Sequence, residues 1–224
     1  KTVESVVNRI KAGETVALIS DAGTPGISDP GEELVKMAYE AGIEVTSLPG
    51  ACACVTALTL SGLSTRRFVF EAFLPPDKKE HKLALERLKN ETRTMIVYEA
   101  PHHLLKTLRE LLETLGNRRL TLCRELTKKH ETAWQTTIED AITRYEQEDP
   151  KGECVLVIEG RSQKEIEDEA KAAFEEISIE EHMKRYEDQG IARKEAMKLV
   201  AKDRGVTKRD IYQYLLGKES YNDF

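Results

Sequence analysis

Residues 20–31 combine residue types that suit close contact between a protein backbone and a ligand. The twelve positions hold three glycines, two prolines and two aspartates. Glycine lets the backbone approach a ligand closely, and proline fixes the shape of a loop. Asp21, near the start, can accept a hydrogen bond from an amine, an amide or a ribose hydroxyl. The segment therefore predicts a ligand-binding loop that is neither a G-x-G-x-x-G dinucleotide motif nor a phosphate-binding P-loop.

Three further turns follow predicted strands, at residues 49–54, 99–102 and 124–131. The small residues of the first turn leave room for a ligand, although a helix packed closely on a sheet requires the same residues. Open α/β sheets bind ligands at the carboxyl ends of their strands. We therefore expect the four loops to converge on one cleft. The sequence shows no Ser–His–Asp triad order. It also lacks an H-E-x-x-H motif, so we expect no metal site.

Apolar patterns indicate which elements position these loops. A continuous apolar run, such as residues 15–19, is typical of a strand buried on both faces. The strand–loop–helix order predicts crossover connections and a largely parallel sheet. The predicted strands are residues 15–19, 43–48, 68–73, 94–98, 119–123, 132–137 and 154–158. The predicted helices are residues 2–11, 32–41, 51–61, 77–90, 104–115 and 138–147.

Charge is distributed unevenly along the chain. The 224 residues are 40% hydrophobic and carry a net charge of −6, which supports a packed core and argues against a globally basic nucleic-acid-coating protein. Residues 164–190 hold ten acids and four bases, and we expect a domain boundary or linker near residues 161–178, whose acidic part is solvated. Residues 191–218 hold eight bases and three acids. They predict two short helices, 193–204 and 207–216, whose basic surface either binds nucleic acid or is simply solvated.

The four cysteines, Cys52, Cys54, Cys123 and Cys154, are interpreted as small buried residues of a reduced cytosolic protein. Cys52 and Cys54 are too close in sequence for a C-x-x-C zinc site. No apolar run approaches the ~20 residues of a membrane span, and no signal peptide is present, so we expect a soluble intracellular protein. The chain begins with Lys1 inside a predicted helix, and we expect upstream residues to be missing from this sequence.

Five segments, in this order, resemble the ribosomal RNA small subunit methyltransferase I family, which has the tetrapyrrole-methylase fold. They are residues 20–31, 48–51, 70–75, 98–102 and 124–128. The resemblance implies an α/β fold with two α/β subdomains, a cofactor cleft between them and a small C-terminal helical domain. Pro75-Pro76 predicts a hinge between the two subdomains, and the composition changes after Gly160. We therefore expect an N-terminal α/β subdomain over residues 1–75, a C-terminal α/β subdomain over residues 76–163, and an acidic linker with a basic helical RNA-binding tail over residues 164–224.

The resemblance also implies an activity: S-adenosylmethionine-dependent 2′-O-ribose methylation of a cytidine in the decoding region of 16S rRNA. The implied partner is 16S rRNA within the small ribosomal subunit, in the cytoplasm, with a homodimeric enzyme and no membrane association. The implied cofactor-binding residues are Asp21, Ala22, Gly23, Thr24, Cys52, Ala53, Tyr98, Glu99, Leu126 and Thr127. Candidate catalytic residues are Glu71, Glu99, Glu125 and Lys128, and candidate RNA-binding residues are Arg124, Arg193, Lys194, Lys208 and Arg209.

The sequence departs from the family pattern in two places. The family normally begins with a strand, a Thr-Pro-Ile-Gly-Asn-Leu turn and a Glu-Asp-Thr-Arg segment, none of which occurs here, and His103 replaces the usual arginine. Two alternatives therefore stand beside the rRNA methyltransferase. One is a methyltransferase of the same fold acting on a tetrapyrrole or another small molecule, against which the basic tail argues. The other is an inactive ligand- or RNA-binding fragment.

Overall fold

A mixed five-stranded sheet lies at the centre of the first of two compact units, which divide the chain into Lys1–Gly160 and Arg161–Phe224. The computed structural model describes residues 2–219. The strand order is β1-β2-β5-β3-β4. The strands are β1 Phe68–Phe73, β2 Thr94–Glu99, β3 Arg119–Arg124, β4 Thr132–Thr137 and β5 Cys154–Ile158. These five strand predictions are confirmed, whereas the subdomain division at residue 75 stays a prediction.

The directions of the strands correct the prediction of a largely parallel sheet. Only β1 and β2 pair in parallel; β5 pairs antiparallel with both β2 and β3, and β4 pairs antiparallel with β3. The prediction was wrong because a short loop joins β3 to β4 as a hairpin, and the last strand enters between β2 and β3 from the opposite direction. As a consequence, β1, β2 and β3 run the same way, and their carboxyl ends lie at one edge.

Helices cover both faces of this sheet because side chains alternate along each strand. Met95 and Val97 of β2 face a large core formed with three helices, whereas Ile96 faces a smaller core against one helix. The helices of the first unit are α1 Val3–Lys11, α2 Glu32–Glu40, α3 Ala53–Leu60, α4 Lys78–Lys89, α5 Leu104–Leu115 and α6 Ile138–Tyr145. Helices α4, α5 and α6 cover the large core, and α3 covers the small one. The six helix predictions for this unit are confirmed.

Two strand predictions are wrong, those for residues 15–19 and 43–48. Neither segment forms a strand or joins a ladder within residues 2–219. A strand is stabilised by backbone hydrogen bonds to a neighbouring strand, so an apolar sequence alone is not sufficient. Several apolar side chains of these segments remain exposed, with Ile19 82% and Leu48 81% accessible, whereas Ile43 and Val45 are half-buried.

The described part of the second unit contains four helices: α7 Gln163–Glu175, α8 Ile179–Glu187, α9 Arg193–Arg204 and α10 Lys208–Glu219. Helix α7 lies where the acidic composition predicts a solvated linker. It forms because Ser162 and Glu165 make a reciprocal capping box at its start. Gly205, with φ 66°, ends α9 in the left-handed conformation, as predicted for a turn between two short helices. The core of this unit is Met183, Ala196, Val200, Ala201, Ile211 and Leu215.

Within residues 2–219, every helix is too short or too polar to cross a membrane.

Candidate functional site

The first candidate loop, residues 20–31, is tied directly to the second, residues 49–54. The backbone amide of Thr24 donates to the carbonyl oxygen of Ala51 at 2.8 Å, and the Thr24 hydroxyl donates to the same oxygen at 3.1 Å. Glycine is required on both sides of this contact. A Cβ at Gly23 would lie 2.8 Å from the Ala51 oxygen, and one at Gly50 would lie 2.9 Å from the Thr24 hydroxyl oxygen. The two loops therefore form one surface, with Asp21 and Ala22 exposed on it.

The second loop meets the sheet through the small core beneath α3. Cys52, Tyr98 and Leu126, which belong to three different candidate segments, pack against this one cluster. Tyr98 is held between two aromatic rings of β1, with its ring centroid 5.0 Å from that of Phe70 and 5.6 Å from that of Phe73, both edge to face. The structure therefore brings together the segments that the resemblance assigns to the cofactor. Their individual roles stay predictions.

The surroundings of the Tyr98 hydroxyl disfavour its charged form. Burial, together with the neighbouring thiols of Cys54 and Cys52, raises the pKa of its hydroxyl. The phenol is therefore neutral at physiological pH and can only act as a neutral hydrogen-bonding group.

Glu99 is the most enclosed of the four candidate catalytic residues, being 7% exposed. One carboxylate oxygen accepts a hydrogen bond from the Ala100 amide at 2.7 Å, and the other accepts one from the buried hydroxyl of Thr107 at 2.5 Å. These bonds join the end of β2 to helix α5, and they compensate the burial of the carboxylate. Sequence reasoning missed Thr107. Its position could have indicated a buried hydrogen bond, because Thr107 is a polar residue on the leucine-rich face of α5.

The loop after β3 carries backbone strain. Glu125 and Thr127 have φ angles of 51° and 64°, in the left-handed region that non-glycine residues rarely adopt. Such positions cost about 1–3 kcal/mol each and cluster at functional sites. Lys128 donates to a carboxylate oxygen of Glu125 at 3.1 Å, and the Thr127 amide donates to the Glu131 carboxylate at 2.6 Å. The loop is thus held by its own charged side chains.

The fourth catalytic candidate, Glu71, lies at an irregularity of β1. The pairing of β1 with β2 shifts register between Phe70 and Ala72, and Ala72 has a left-handed φ of 55°. Bulges of this kind redirect side chains and are common beside active sites. Glu71 is half-buried at this point.

Known proteins are similar in sequence to this chain over most of its length. The sequence profile of the tetrapyrrole (corrin/porphyrin) methylases matches residues 1–142, which include all five candidate segments. A protein named ribosomal RNA small subunit methyltransferase I from Synechocystis is 43% identical over 97% of this chain and 76% of its own length. One of the same name from Halalkalibacterium halodurans is 47% identical over 92% of this chain and 71% of its own length. The chain belongs to the tetrapyrrole methylase family and, within it, to the ribosomal RNA small subunit methyltransferase I group.

Solved structures support the same fold for this tetrapyrrole methylase. The methyltransferase CobJ superposes with a TM-score of 0.54 at 20% identity, covering 70% of each chain. A diphthine synthase superposes with a TM-score of 0.50 at 13% identity, covering 70% of this chain and 64% of its own. The predicted fold class, an α/β tetrapyrrole-methylase fold followed by a helical unit, is therefore confirmed.

The residues predicted to bind RNA lie in both units of the methylase. Arg124 ends β3, and its Nε atom is buried without a hydrogen-bond partner in the described part of the chain. It lines a surface cavity of about 490 Å³ together with Arg144, Glu148, Asp149 and Lys151. Sequence motifs do not identify Arg144 and Lys151 as candidate RNA-binding residues, because both lie outside the five candidate segments and beyond residues 1–142, which the family profile matches.

In the second unit, Arg193 and Lys194 occupy the first turn of α9, and Lys208 and Arg209 occupy the first turn of α10. Helices α9 and α10 pack together in one core, to which Ala196 and Val200 of α9 and Ile211 of α10 contribute. The four basic residues therefore belong to two helices of one packed unit. Contact with RNA stays a prediction.

Proposed function

We propose that this protein is an S-adenosylmethionine-dependent methyltransferase that methylates the ribose 2′-oxygen of a cytidine in the decoding region of 16S rRNA. The observation that carries this proposal is the extent of its similarity to proteins named ribosomal RNA small subunit methyltransferase I. Identities of 43% and 47% extend over 97% and 92% of this chain. The similarity therefore includes the basic helical unit as well as the methylase fold. Methylation of a small molecule does not require such a helical unit.

The loops at residues 20–31 and 49–54, which are tied together at Thr24 and Ala51, suit a cofactor that lies against backbone. Glycines at positions 23 and 50 let the two loops meet closely, and the small side chains of Cys52 and Ala53 leave room for a ligand, which fits an adenosine and an amino-acid chain. The residues that would hold the cofactor are Asp21, Ala22, Gly23, Thr24, Cys52, Ala53, Tyr98, Glu99, Leu126 and Thr127. When bound, the cofactor supplies a methyl group activated by its sulfonium centre.

The chain's own task is then orientation and removal of one proton. A hydroxyl nucleophile must be aligned with the methyl carbon, which lowers the barrier by restricting motion before reaction. A base takes the hydroxyl proton as the new bond forms. Both oxygens of Glu99 already accept hydrogen bonds from the chain, and the Lys128 ammonium donates to Glu125, so of the candidates Glu71, Glu99, Glu125 and Lys128 we assign proton removal to Glu71 or Glu125. Glu99 instead positions the loop that follows β2.

Basic residues provide affinity for the RNA backbone. Arg124, Arg193, Lys194, Lys208 and Arg209 would neutralise phosphates, and the binding would weaken as salt rises. A net charge of −6 for the whole chain suits recognition of a folded ribosomal particle at one site better than general coating of RNA. We propose that the enzyme acts on the small ribosomal subunit, in the cytoplasm and as a homodimer.

The test is transfer of labelled methyl groups from S-adenosylmethionine to small ribosomal subunits prepared from cells that lack the modification. We expect label in 16S rRNA, at a cytidine ribose after nuclease digestion. Reversing the charge of Arg193, Lys194, Lys208 and Arg209 to Glu should lower the labelling at least tenfold. The matched control reverses four exposed lysines of α4, namely Lys78, Lys79, Lys82 and Lys89. Equal loss in the control, or labelling of a tetrapyrrole but not of RNA, would contradict the proposal.

A further inference from the structure

The thiols of Cys52 and Cys54 lie close together at the start of α3. Their sulfur atoms are 3.3 Å apart, the distance of a thiol–thiol hydrogen bond. Cys52 is the N-cap residue of the helix and has an extended backbone, while Cys54 lies in its first turn. Neither cysteine is in a disulfide. The two sulfurs must approach by roughly 1 Å, through side-chain rotation and a shift of the turn, to reach the ~2.05 Å of a disulfide.

The two thiols differ in their access to solvent. Cys52 is half-buried, whereas Cys54 is buried. Burial, followed by the contact with Cys52, raises the pKa of the Cys54 thiol to about 11. The outer sulfur is therefore placed to react first, and the inner one is kept protonated and protected until a partner forms beside it.

The remaining two cysteines have no such arrangement. Cys123 and Cys154 are both buried, on neighbouring strands. Cys123 faces the small core beneath α3, and Cys154 faces the large core on the other side of the sheet. Burial raises the pKa of Cys123 to about 11 and that of Cys154 to about 12. Oxidation should thus be confined to the pair at the start of α3.

We propose that Cys52 and Cys54 form a peroxide-reactive dithiol that closes reversibly to a disulfide. In the first step the Cys52 thiolate attacks one oxygen of hydrogen peroxide or an alkyl hydroperoxide. The O–O bond breaks and Cys52 becomes a sulfenic acid, while the departing hydroxide or alkoxide takes up the proton that the Cys52 thiol released and leaves as water or an alcohol. In the second step the Cys54 sulfur attacks the Cys52 sulfur, the S–O bond breaks, and water leaves with the Cys54 proton. The two thiols lose two electrons, and the peroxide gains them.

Closure would also change the neighbouring loop. Cys52 directly follows Ala51, whose carbonyl oxygen holds both the amide and the hydroxyl of Thr24. Drawing the two sulfurs together moves the turn that contains Cys52 and Ala53. We expect oxidation to weaken binding of S-adenosylmethionine about fivefold, the loss of one net hydrogen bond. This consequence, unlike the disulfide itself, rests on the proposed function.

The test uses the full chain, reduced, desalted and exposed to graded hydrogen peroxide before alkylation under denaturing conditions. We expect the intact mass to fall by two hydrogen atoms and the number of alkylated cysteines to fall from four to two. Peptide mapping should place the bond between Cys52 and Cys54, and dithiothreitol should restore all four alkylations. The Cys54→Ser variant should instead accumulate a sulfenic acid at Cys52, trapped by dimedone. The matched control, Cys123→Ala, should behave as the wild type.

Two results with the wild-type protein would overturn the proposed dithiol. One is a dimedone adduct or a sulfinic acid at Cys52 with no disulfide, and the other is a disulfide between other cysteines. Calorimetry of the reduced protein with S-adenosylmethionine is a separate measurement. If the reduced protein fails to bind, the proposed function fails while the mapped disulfide still stands. If the reduced and oxidised proteins bind equally well, the dithiol stands, and its effect on the cofactor loop is excluded.

Discussion

Thr24 and Ala51 are joined by two hydrogen bonds to a single carbonyl oxygen, from the Thr24 amide at 2.8 Å and from its hydroxyl at 3.1 Å. They are far apart in sequence and belong to loops that follow different helices. No strand ladder holds residues 15–19 or 43–48 within residues 2–219, so this contact is a principal link between the two loops. The shape of the candidate cofactor surface thus depends on one threonine.

Replacing Thr24 with Val tests this dependence. Valine keeps the backbone bond and the β-branched shape but removes the hydroxyl donor. A net hydrogen bond is worth about 1 kcal/mol, so we expect affinity for S-adenosylmethionine to fall about fivefold in calorimetry. Thr143→Val is the matched control, because the Thr143 hydroxyl donates within its own helix, α6, to the Glu139 carbonyl at 3.0 Å. Equal affinity for the two variants would show that the hydroxyl does not shape the site.

Substitutions at Glu99 and Thr107 test whether Glu99 positions the loop after β2 or acts as the general base. Glu99→Gln keeps the shape but weakens a charge-assisted bond of 2.5 Å, and Thr107→Val removes its donor. We expect each substitution to lower the free energy of unfolding by about 1–3 kcal/mol and the double variant to lose less than the sum. Denaturant unfolding measures this coupling. A general base predicts otherwise: Glu99→Gln would abolish methylation with unchanged stability, and Thr107→Val would remain active.

Local patterns predicted most elements of the first unit because those elements are encoded by neighbouring residues. Leucines at helical spacing predict residues 104–115, and the helix has these bounds. Residues 154–158 are likewise predicted from one apolar run and form β5. The pairing of β5 was not predictable in the same way. Met95 lies opposite Ile158, and that contact depends on the whole intervening chain rather than on either segment.

The candidate site shows the same limit. Motif spacing indicates which loops carry the site, and the structure brings Cys52, Tyr98 and Leu126 to one cluster. The left-handed backbone of Thr127 has no sequence signal, since β-branched residues are the least suited to positive φ. Such a conformation is imposed by the hydrogen bonds around it. The prediction of strands at residues 15–19 and 43–48 failed for the converse reason, because their sequences favour strands but no ladder partner holds them.

Arg118 stabilises the first unit by bonding to backbone carbonyls from several segments. It is 8% exposed, and its guanidinium donates to Lys89 at 3.0 Å, to Leu115 at 3.1 Å, and to Glu91 and Glu159 at 3.4 Å each. Arg118→Met fills similar volume but leaves buried carbonyl oxygens without donors. We expect the free energy of unfolding to fall by about 3 kcal/mol.

The adjacent Arg119 provides the matched control for this prediction. Its side chain is 67% exposed and forms an ion pair with Glu159 at the surface. Such pairs contribute about 0–1 kcal/mol, so Arg119→Met should have little effect. Urea unfolding followed by fluorescence of the single tryptophan, Trp134, measures both variants. A larger loss for Arg119→Met than for Arg118→Met would contradict the assigned role.

His182 makes the stability of the helical unit depend on pH. The side chain is buried, its ring stacks on Phe174 at a centroid distance of 4.2 Å, and Tyr186 lies beyond it at 5.6 Å. Burial and the guanidinium of Arg204, which donates to Nδ1 at 3.3 Å, lower its pKa below 6.5. Asp203, 3.3 Å from Nε2, opposes this shift without cancelling it.

The sign of the effect follows from proton uptake. At pH values well above 6.5, the ordinary pKa of histidine, the imidazole is neutral in the folded and unfolded states, so it adds no pH dependence. Below that value the unfolded chain binds a proton that the folded unit resists, and the free energy of unfolding falls as pH falls. We expect faster amide exchange in α9 at about pH 5 than at about pH 7, after correction for intrinsic rates. His182→Phe should remove this slope while keeping the stacked ring, and His130→Phe, an exposed control in the first unit, should retain it. A slope that persists in His182→Phe would assign the effect to carboxylates such as Asp203 instead.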